Sequence, residues 1–247
     1  MGKVTVQIAL WGLLCVVSAL LYVLHIHIFH DPRQMSFYLV EDLAFLPIQV
    51  LVASLIIQRL LNWRDTRTAA KKVNMVIGAF FSEVGTDLLG KLIDLDSEAE
   101  RQAVHLKVGR NWTNREFAAA IRRCKAADWK PACGRGDLGE LQRYLVAQRP
   151  CLLRLLENPN VLEHETFTEL LWAVFHLAEE LQARPDFRNL PATDQAHLNG
   201  DMQRVMRLLV ATWLVYLQHL SKDYPYLFSL AVRTNPFNPA ASVIVTE

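Results

Sequence analysis

The sequence predicts an all-α protein, in which an N-terminal two-helix transmembrane hairpin precedes an α-helical cytoplasmic bundle. Two long apolar segments open the chain, apolar residues recur at helical spacing through the remainder, and no segment alternates as a strand does. The 247 residues are 52% hydrophobic and 21% charged, so both a membrane part and a water-facing part are expected. We divide the chain into the hairpin, 1–62, a helical domain, 63–223, and an extended tail, 224–247.

The two predicted spans cover about residues 4–30 and 36–61. The first contains no Asp, Glu, Lys or Arg, and about 20 apolar residues suffice to cross a hydrocarbon core of ~30 Å. The charged residues of the second span lie near its ends and are Glu41, Asp42 and Arg59. A signal peptide is the alternative for the first segment. Its long apolar stretch, the lack of an A-x-A-like cleavage site and the immediate second span argue against that alternative.

Basic residues predict the orientation, because Lys and Arg near the ends of spans are retained in the cytoplasm. The turn between the spans holds a single basic residue, Arg33, whereas a cluster accompanies the end of the second span. The cluster consists of Arg59, Arg64, Arg67, Lys71 and Lys72. We therefore expect the turn outside and both termini in the cytoplasm, with the lipid bilayer as the first partner.

Histidines and carboxylates surround the turn of the hairpin and form the candidate site of the membrane part. Helical projection places His30, and nearly His27, on the small-residue face of the first span, with Asp42 facing them from the second. His25 and Glu41 project elsewhere. Three interpretations remain open for His27, His30 and Asp42: a polar contact that closes the hairpin, a proton or pH-responsive site, and a divalent metal site.

The cytoplasmic part contains helix signals throughout. One helix is predicted over about 64–95, and a long core helix follows Thr193. Side chains suited to N-capping precede three further apolar runs, at Thr113 or Asn114, at Asp137 and at Thr166. Pro150 is expected to kink or divide the helix that Asp137 begins.

No recognised catalytic signature is present, and three histidine–carboxylate pairs are the remaining candidates for chemistry. The pairs have i, i+4 spacing and are His176 with Glu180, His197 with Asp201, and His219 with Asp223. We interpret them as solvated pairs rather than metal ligands, because the Glu-x-x-His motifs of di-iron bundles are absent. The sequence thus favours a non-enzymatic role without a cofactor, and a net charge of +1 gives no basis for nucleic-acid binding.

Three segments carry a family resemblance: "YVLHIHIFHDP", "NMVIGAFFSEVGTDLL" and "DYPYLFSLAVRTNPFNP". They resemble a group of uncharacterised bacterial inner-membrane proteins along most of the chain. The resemblance implies a location in the bacterial inner membrane. The resemblance implies no activity, and therefore it identifies no catalytic residue in this chain.

The leading functional hypothesis is a membrane-anchored interaction or regulatory module whose helical domain binds a protein partner. One alternative is an oligomer of hairpins that transports or senses through the outer histidines and Asp42. A second alternative is an enzyme with a site assembled from the cytoplasmic helices. A homo-oligomer remains compatible with each of these hypotheses.

Overall fold

The structure, a computed structural model, describes residues 2–29, 32–162 and 164–245. Within these residues every regular element is a helix, and the single β feature is an isolated bridge between Asp96 and Pro131. The predicted all-α class is therefore confirmed. The chain forms two compact units, Met1–Thr66 and Arg67–Glu247, which are described separately below.

The N-terminal unit contains α1, Gly2–Phe29, and the first part of α2, Pro32–Phe80. One segment of α2, Val40–Arg64, is long and apolar enough to cross a membrane, and none of it is buried. A shorter apolar segment of α1, Gly12–Ile28, is also exposed apart from the half-buried His25. By length and composition, the described residues thus contain one candidate span.

The C-terminal unit is a bundle around α9. A π-helical turn, Phe81–Gly85, follows α2. The helices after it are α3 (Thr86–Leu95), α4 (Ala99–Ala103), α5 (Asn114–Ala126), α6 (Leu138–Leu156), α7 (Pro159–Leu162), α8 (Glu165–Gln182), α9 (Ala192–Asp223) and α10 (Pro225–Arg233). Helix α9 packs against α3, α5, α8 and α10, and α6 packs against α8.

The central place of α9 follows from its sequence. Apolar residues at a spacing of three and four form a stripe that is almost wholly buried. Burying one such side chain stabilises a fold by about 1.5–3 kcal/mol relative to leaving it in water. The buried stripe is Leu198, Met202, Val205, Leu209, Trp213, Leu217 and Leu220. The prediction of a long core helix in this region is therefore confirmed. The helix begins at Ala192 rather than after Thr193.

The single helix predicted over 64–95 is divided by the π-helical turn. The adjacent Phe80 and Phe81 are both buried, Phe80 against Phe167 and Phe81 stacked on Tyr216. The wider turn is closed by Thr86, whose Oγ1 donates a hydrogen bond of 2.7 Å to the carbonyl of Phe81. The range 64–95 is therefore helical throughout, as predicted, but the π-helical turn within it was not foreseen, because an apolar period does not reveal such an insertion.

Two of the three predicted N-caps are confirmed. The Thr113 hydroxyl accepts from the Glu116 amide in a complete capping box, and the Asp137 carboxylate accepts from the Glu140 amide at the start of α6. The cap predicted at Thr166 was wrong, because α8 begins earlier and His164 Nδ1 accepts from the Phe167 amide at 3.2 Å. Pro150 lies inside α6 without dividing it.

Replacing Thr113 by alanine is expected to lower the free energy of unfolding of the bundle by about 0.5–2 kcal/mol, because the Glu116 amide loses its side-chain acceptor. Thr193→Ala is the matched control, since that exposed threonine lies inside α9 and caps nothing. It should change stability by less than about 0.5 kcal/mol. Thermal unfolding followed by circular dichroism measures both. Equal losses in the two variants would contradict the capping role.

The tail differs from the extended segment predicted for 224–247, because its first part is helix α10. Pro225 occupies the first turn of this helix, where the missing amide hydrogen is not needed. Beyond α10, the buried Asn235 donates from Nδ2 to the carbonyl of Leu106 at 2.8 Å. Phe237 is 2% exposed and fills a gap between Trp129 and Trp213.

Candidate functional site

Of the three predicted site residues of the hairpin, the structure places Asp42 in a cavity that His25 also lines. A cavity within the N-terminal unit is lined by Ser18, Leu21, Tyr22, His25, Tyr38 and Asp42. Asp42 therefore shares a cavity with His25, which was expected to point away. His27 is exposed and does not line this cavity, and His30 lies outside the described residues.

The position of His25 differs from the expected one for a geometric reason. The prediction took the small residues of α1 as its contact face, whereas Ser18, Tyr22 and His25 lie on another face at i, i+4 and i+7. Among the described residues, one imidazole and one carboxylate line this cavity as conventional metal ligands. Structural zinc sites use four protein ligands and catalytic ones three, so this donor set is small for a metal site.

A second cluster lies in the C-terminal unit, where α8 packs against α9. Helix α8 carries His176 and Glu180 one turn apart, and α9 carries His197 and Asp201 with the same spacing. Side chains separated by four residues share one face of a helix. Because these two faces meet, the structure brings together two of the three pairs that the sequence analysis treated as separate. We call His176, Glu180, His197 and Asp201 the four-residue cluster.

Each imidazole of the four-residue cluster lies near both carboxylates. His176 Nε2 is 3.8 Å from Glu180 Oε1 and 3.5 Å from Asp201 Oδ2. His197 Nε2 is 3.6 Å from Glu180 Oε2 and 3.4 Å from the same Asp201 Oδ2. The donor atoms of His176, Glu180 and His197 all lie within 4.8 Å of one another. The polar atoms of the two helices thus converge on one point.

Asp201 is the buried member of the four-residue cluster. The residue is 4% exposed, and its Oδ1 accepts a hydrogen bond of 3.1 Å from Arg204 Nη1. Its Oδ2, which faces both histidines, is buried and has no hydrogen-bond partner. Buried polar atoms are nearly always paired, so an orphaned carboxylate oxygen requires an explanation.

Arg184 holds the other carboxylate in place. Its Nη1 donates to Glu180 Oε2 at 2.7 Å, and its Nε donates to Asp194 Oδ2 at 2.9 Å. The hydrogen bond from Arg184 keeps the pKa of Glu180 below its usual value, and that of Asp194 is lowered by the same arginine. Glu180 is therefore an oriented carboxylate that stays charged at neutral pH.

The third pair, His219 with Asp223, remains separate from the four-residue cluster. His219 Nδ1 lies 2.9 Å from Asp223 Oδ2 near the other end of α9. The sequence contained a signal that could have separated this pair from the other two. His176 and His197 stand on helices that a short connection, 183–191, joins, and helices joined in this way are antiparallel neighbours.

The four cysteines of the chain are free, and Cys124 is buried in the bundle. Burial raises the pKa of the Cys124 thiol to about 12, so the thiolate is scarcely populated at neutral pH. The four-residue cluster thus carries the strongest chemical signal of the bundle.

Comparison with known proteins assigns the chain to a family. A family model described as "Uncharacterized protein MJ1433, C-terminal helical domain" matches residues 69–233, and the corresponding N-terminal helical domain matches 3–61. The "Uncharacterized protein MJ1433" of Methanocaldococcus jannaschii is 42% identical over 230 residues, which are 93% of this chain and 92% of that protein. The chain belongs to the MJ1433 family. The N- and C-terminal helical domains that the two family models describe correspond to the two units of the structure.

The comparisons support only part of what the resemblance in the sequence implied. The M. jannaschii member of the MJ1433 family comes from an archaeon, so the comparisons do not support the expected bacterial source. No solved structure matches the chain. What is shown is membership of a family with N- and C-terminal helical domains.

Proposed function

We propose that this member of the MJ1433 family is a membrane-anchored protein whose C-terminal helical domain acts as an interaction or regulatory module beside the plasma membrane. The observation that carries the proposal is the segment Val40–Arg64, in which every side chain is exposed although most are apolar. Soluble proteins rarely leave so large an apolar surface in contact with water. A bilayer would cover this surface along its whole length.

Helix α1 supports a hairpin rather than a single span. Its apolar segment Gly12–Ile28 is exposed in the same way, and the whole helix of 28 residues is about 42 Å long, which exceeds a hydrocarbon core of ~30 Å. Basic residues after the second span favour cytoplasmic termini. In this arrangement the helical domain faces the cytoplasm.

The helical domain is assigned the functional role because it has a buried core of its own and lies outside the proposed spans. An interaction role also fits the lack of a catalytic signature in the sequence.

Anchoring is tested by alkaline carbonate extraction of membranes from cells that express the full chain. We expect the chain in the membrane pellet. Replacing Leu51 and Leu55 by arginine should release a large fraction, because each charge at mid-bilayer costs at least ~2.5 kcal/mol. Met75→Arg is the control, since Met75 is exposed but lies outside the span, and it should leave extraction unchanged. Release of the unaltered chain would refute anchoring.

The interaction role is tested by cross-linking the full chain in intact cells and mapping the cross-linked residues by mass spectrometry. Cross-links to a partner should arise from 67–233. Cross-links confined to the hairpin would show that the helical domain does not bind the partner. This outcome would leave anchoring intact and remove the proposed role of the domain.

A further inference from the structure

We infer that the four-residue cluster is a binding site for one divalent transition-metal ion, with Zn²⁺ as the best-fitting ion. Its ligands are His176 and Glu180 from α8 and His197 and Asp201 from α9. This inference goes beyond the proposed function and does not depend on the anchoring of the chain. Three independent observations carry it: the spacing of the donor atoms, the orphaned oxygen of Asp201, and the arginines behind the carboxylates.

Several donor atoms are spaced nearly as in a tetrahedral centre. Zinc ligands lie about 2.0–2.2 Å from the metal, and tetrahedral geometry then separates neighbouring donor atoms by about 3.3–3.6 Å. Asp201 Oδ2 lies 3.5 and 3.4 Å from Nε2 of His176 and of His197, and these two nitrogens lie 3.8 and 3.6 Å from Oε1 and Oε2 of Glu180, respectively. Binding of the metal therefore requires the Glu180 carboxylate to turn, so that one of its oxygens joins the two imidazoles and Asp201.

The orphaned oxygen of Asp201 supplies the second argument. Asp201 Oδ2 is buried without a hydrogen bond, and it lies almost equally far from the two Nε2 atoms. Burying a carboxylate oxygen without a partner is costly, and a bound cation removes that cost. The unpartnered atom is aimed at the same point as the two imidazoles.

The arginines behind the carboxylates supply the third argument. Arg184 donates to Glu180 Oε2, and Arg204 donates to Asp201 Oδ1. In metal sites, hydrogen bonds from outside the coordination sphere orient the ligands and tune their affinity. Arg204 thus engages one oxygen of Asp201 and leaves Oδ2 directed at the histidines, as a metal ligand requires.

The chemical nature of the donor atoms also favours a transition-metal ion. Two imidazole nitrogens suit Zn²⁺ and other transition metals, whereas Mg²⁺ and Ca²⁺ prefer coordination by oxygen alone. Four protein ligands are typical of structural zinc sites rather than catalytic ones, which keep a position open for water. Bound metal would cross-link α8 to α9, and partial exposure of His176 and His197 gives the ion a direct path from solvent.

The test uses the full chain in detergent micelles after removal of metals with a chelator. Isothermal titration calorimetry with Zn²⁺ should show one equivalent bound, and Zn²⁺ should raise the temperature of unfolding of the bundle. Mg²⁺ should do neither. With Co²⁺ as the probe, visible absorption typical of tetrahedral coordination should appear.

Two variants locate the site. Asp201→Asn and His176→Gln should each weaken Zn²⁺ binding by about 100-fold or more, because even losing a partner outside the coordination sphere costs 10–100-fold. His219→Gln is the matched control, since His219 has the same i, i+4 carboxylate partner on α9 but lies outside the four-residue cluster. It should bind Zn²⁺ with unchanged affinity.

The outcomes decide between a metal site and an ion-pair cluster. Absence of Zn²⁺ binding by the unaltered chain at 100-fold excess, with circular dichroism showing a folded bundle, would overturn the inference. So would binding that Asp201→Asn and His176→Gln leave unchanged. If Asp201→Asn fails to fold, His176→Gln decides alone, because His176 is partly exposed and its loss leaves the core packed.

Discussion

Replacement of Phe167 by alanine is expected to lower the free energy of unfolding of the helical domain by about 3–5 kcal/mol. Phe167 is fully buried at the start of α8, and its ring meets that of Phe80 edge to face with centroids 5.5 Å apart. Alanine would remove this ring contact and leave a cavity that the surrounding helices fill only in part. Denaturant unfolding followed by tryptophan fluorescence measures the loss.

Trp172→Ala is the control for the Phe167 prediction. Trp172 belongs to the same helix, but it is 57% exposed and packs mainly at the edge of Phe175. Its replacement should cost less than about 1 kcal/mol, because surface substitutions have small effects. Similar losses for Phe167 and Trp172 would show that the ring of Phe167 is not part of a packed core.

Gly85→Ala is expected to destabilise the domain by about 1–3 kcal/mol through overpacking. An added Cβ would lie 2.6 Å from Cδ1 of Phe81 and 2.7 Å from Cε1 of Phe80, closer than carbon atoms approach. Both rings are buried, so neither can move away freely. The expected observation is a lower temperature of unfolding with the helix content of the folded state retained.

Gly90→Ala is the matched control and should have the opposite effect. Gly90 lies inside α3, five residues after Gly85, and its added Cβ would meet no atom within 4 Å. Alanine is favoured over glycine in a helix interior by about 0.8–1 kcal/mol, so this variant should gain stability. A gain at Gly85 as well would contradict the close packing around the π-helical turn.

Features encoded locally were predictable from the sequence. The stripe along α9 and the caps at Thr113 and Asp137 are formed by residues within a few positions of one another, so spacing alone reveals them. The π-helical turn was not predictable, because it depends on where Phe80 and Phe81 find partners in distant helices. Helix α10 was missed because the prolines of the tail were read as breaking helices, although Pro225 begins one.

The sequence revealed the two pairs of the four-residue cluster but not their convergence. The spacing of His176 with Glu180 and of His197 with Asp201 was recognised, but each pair was interpreted alone. Convergence of the pairs depends on the packing of α8 on α9, which is a tertiary property. The orphaned oxygen of Asp201 depends in turn on burial by that packing. Candidate ligands of such a site can therefore be identified from the sequence, but their proximity can be established only from the tertiary structure.

The position of Phe237 has a consequence for the order of folding during synthesis. This ring fills the gap between Trp129 and Trp213, yet it follows every helix of the bundle in the chain. A nascent chain that has just completed α10 therefore holds all of its helices and lacks one of the buried rings of its core. The helices emerge from the ribosome before this ring, so the core of the domain can be packed completely only after the residues that follow α10 have also emerged.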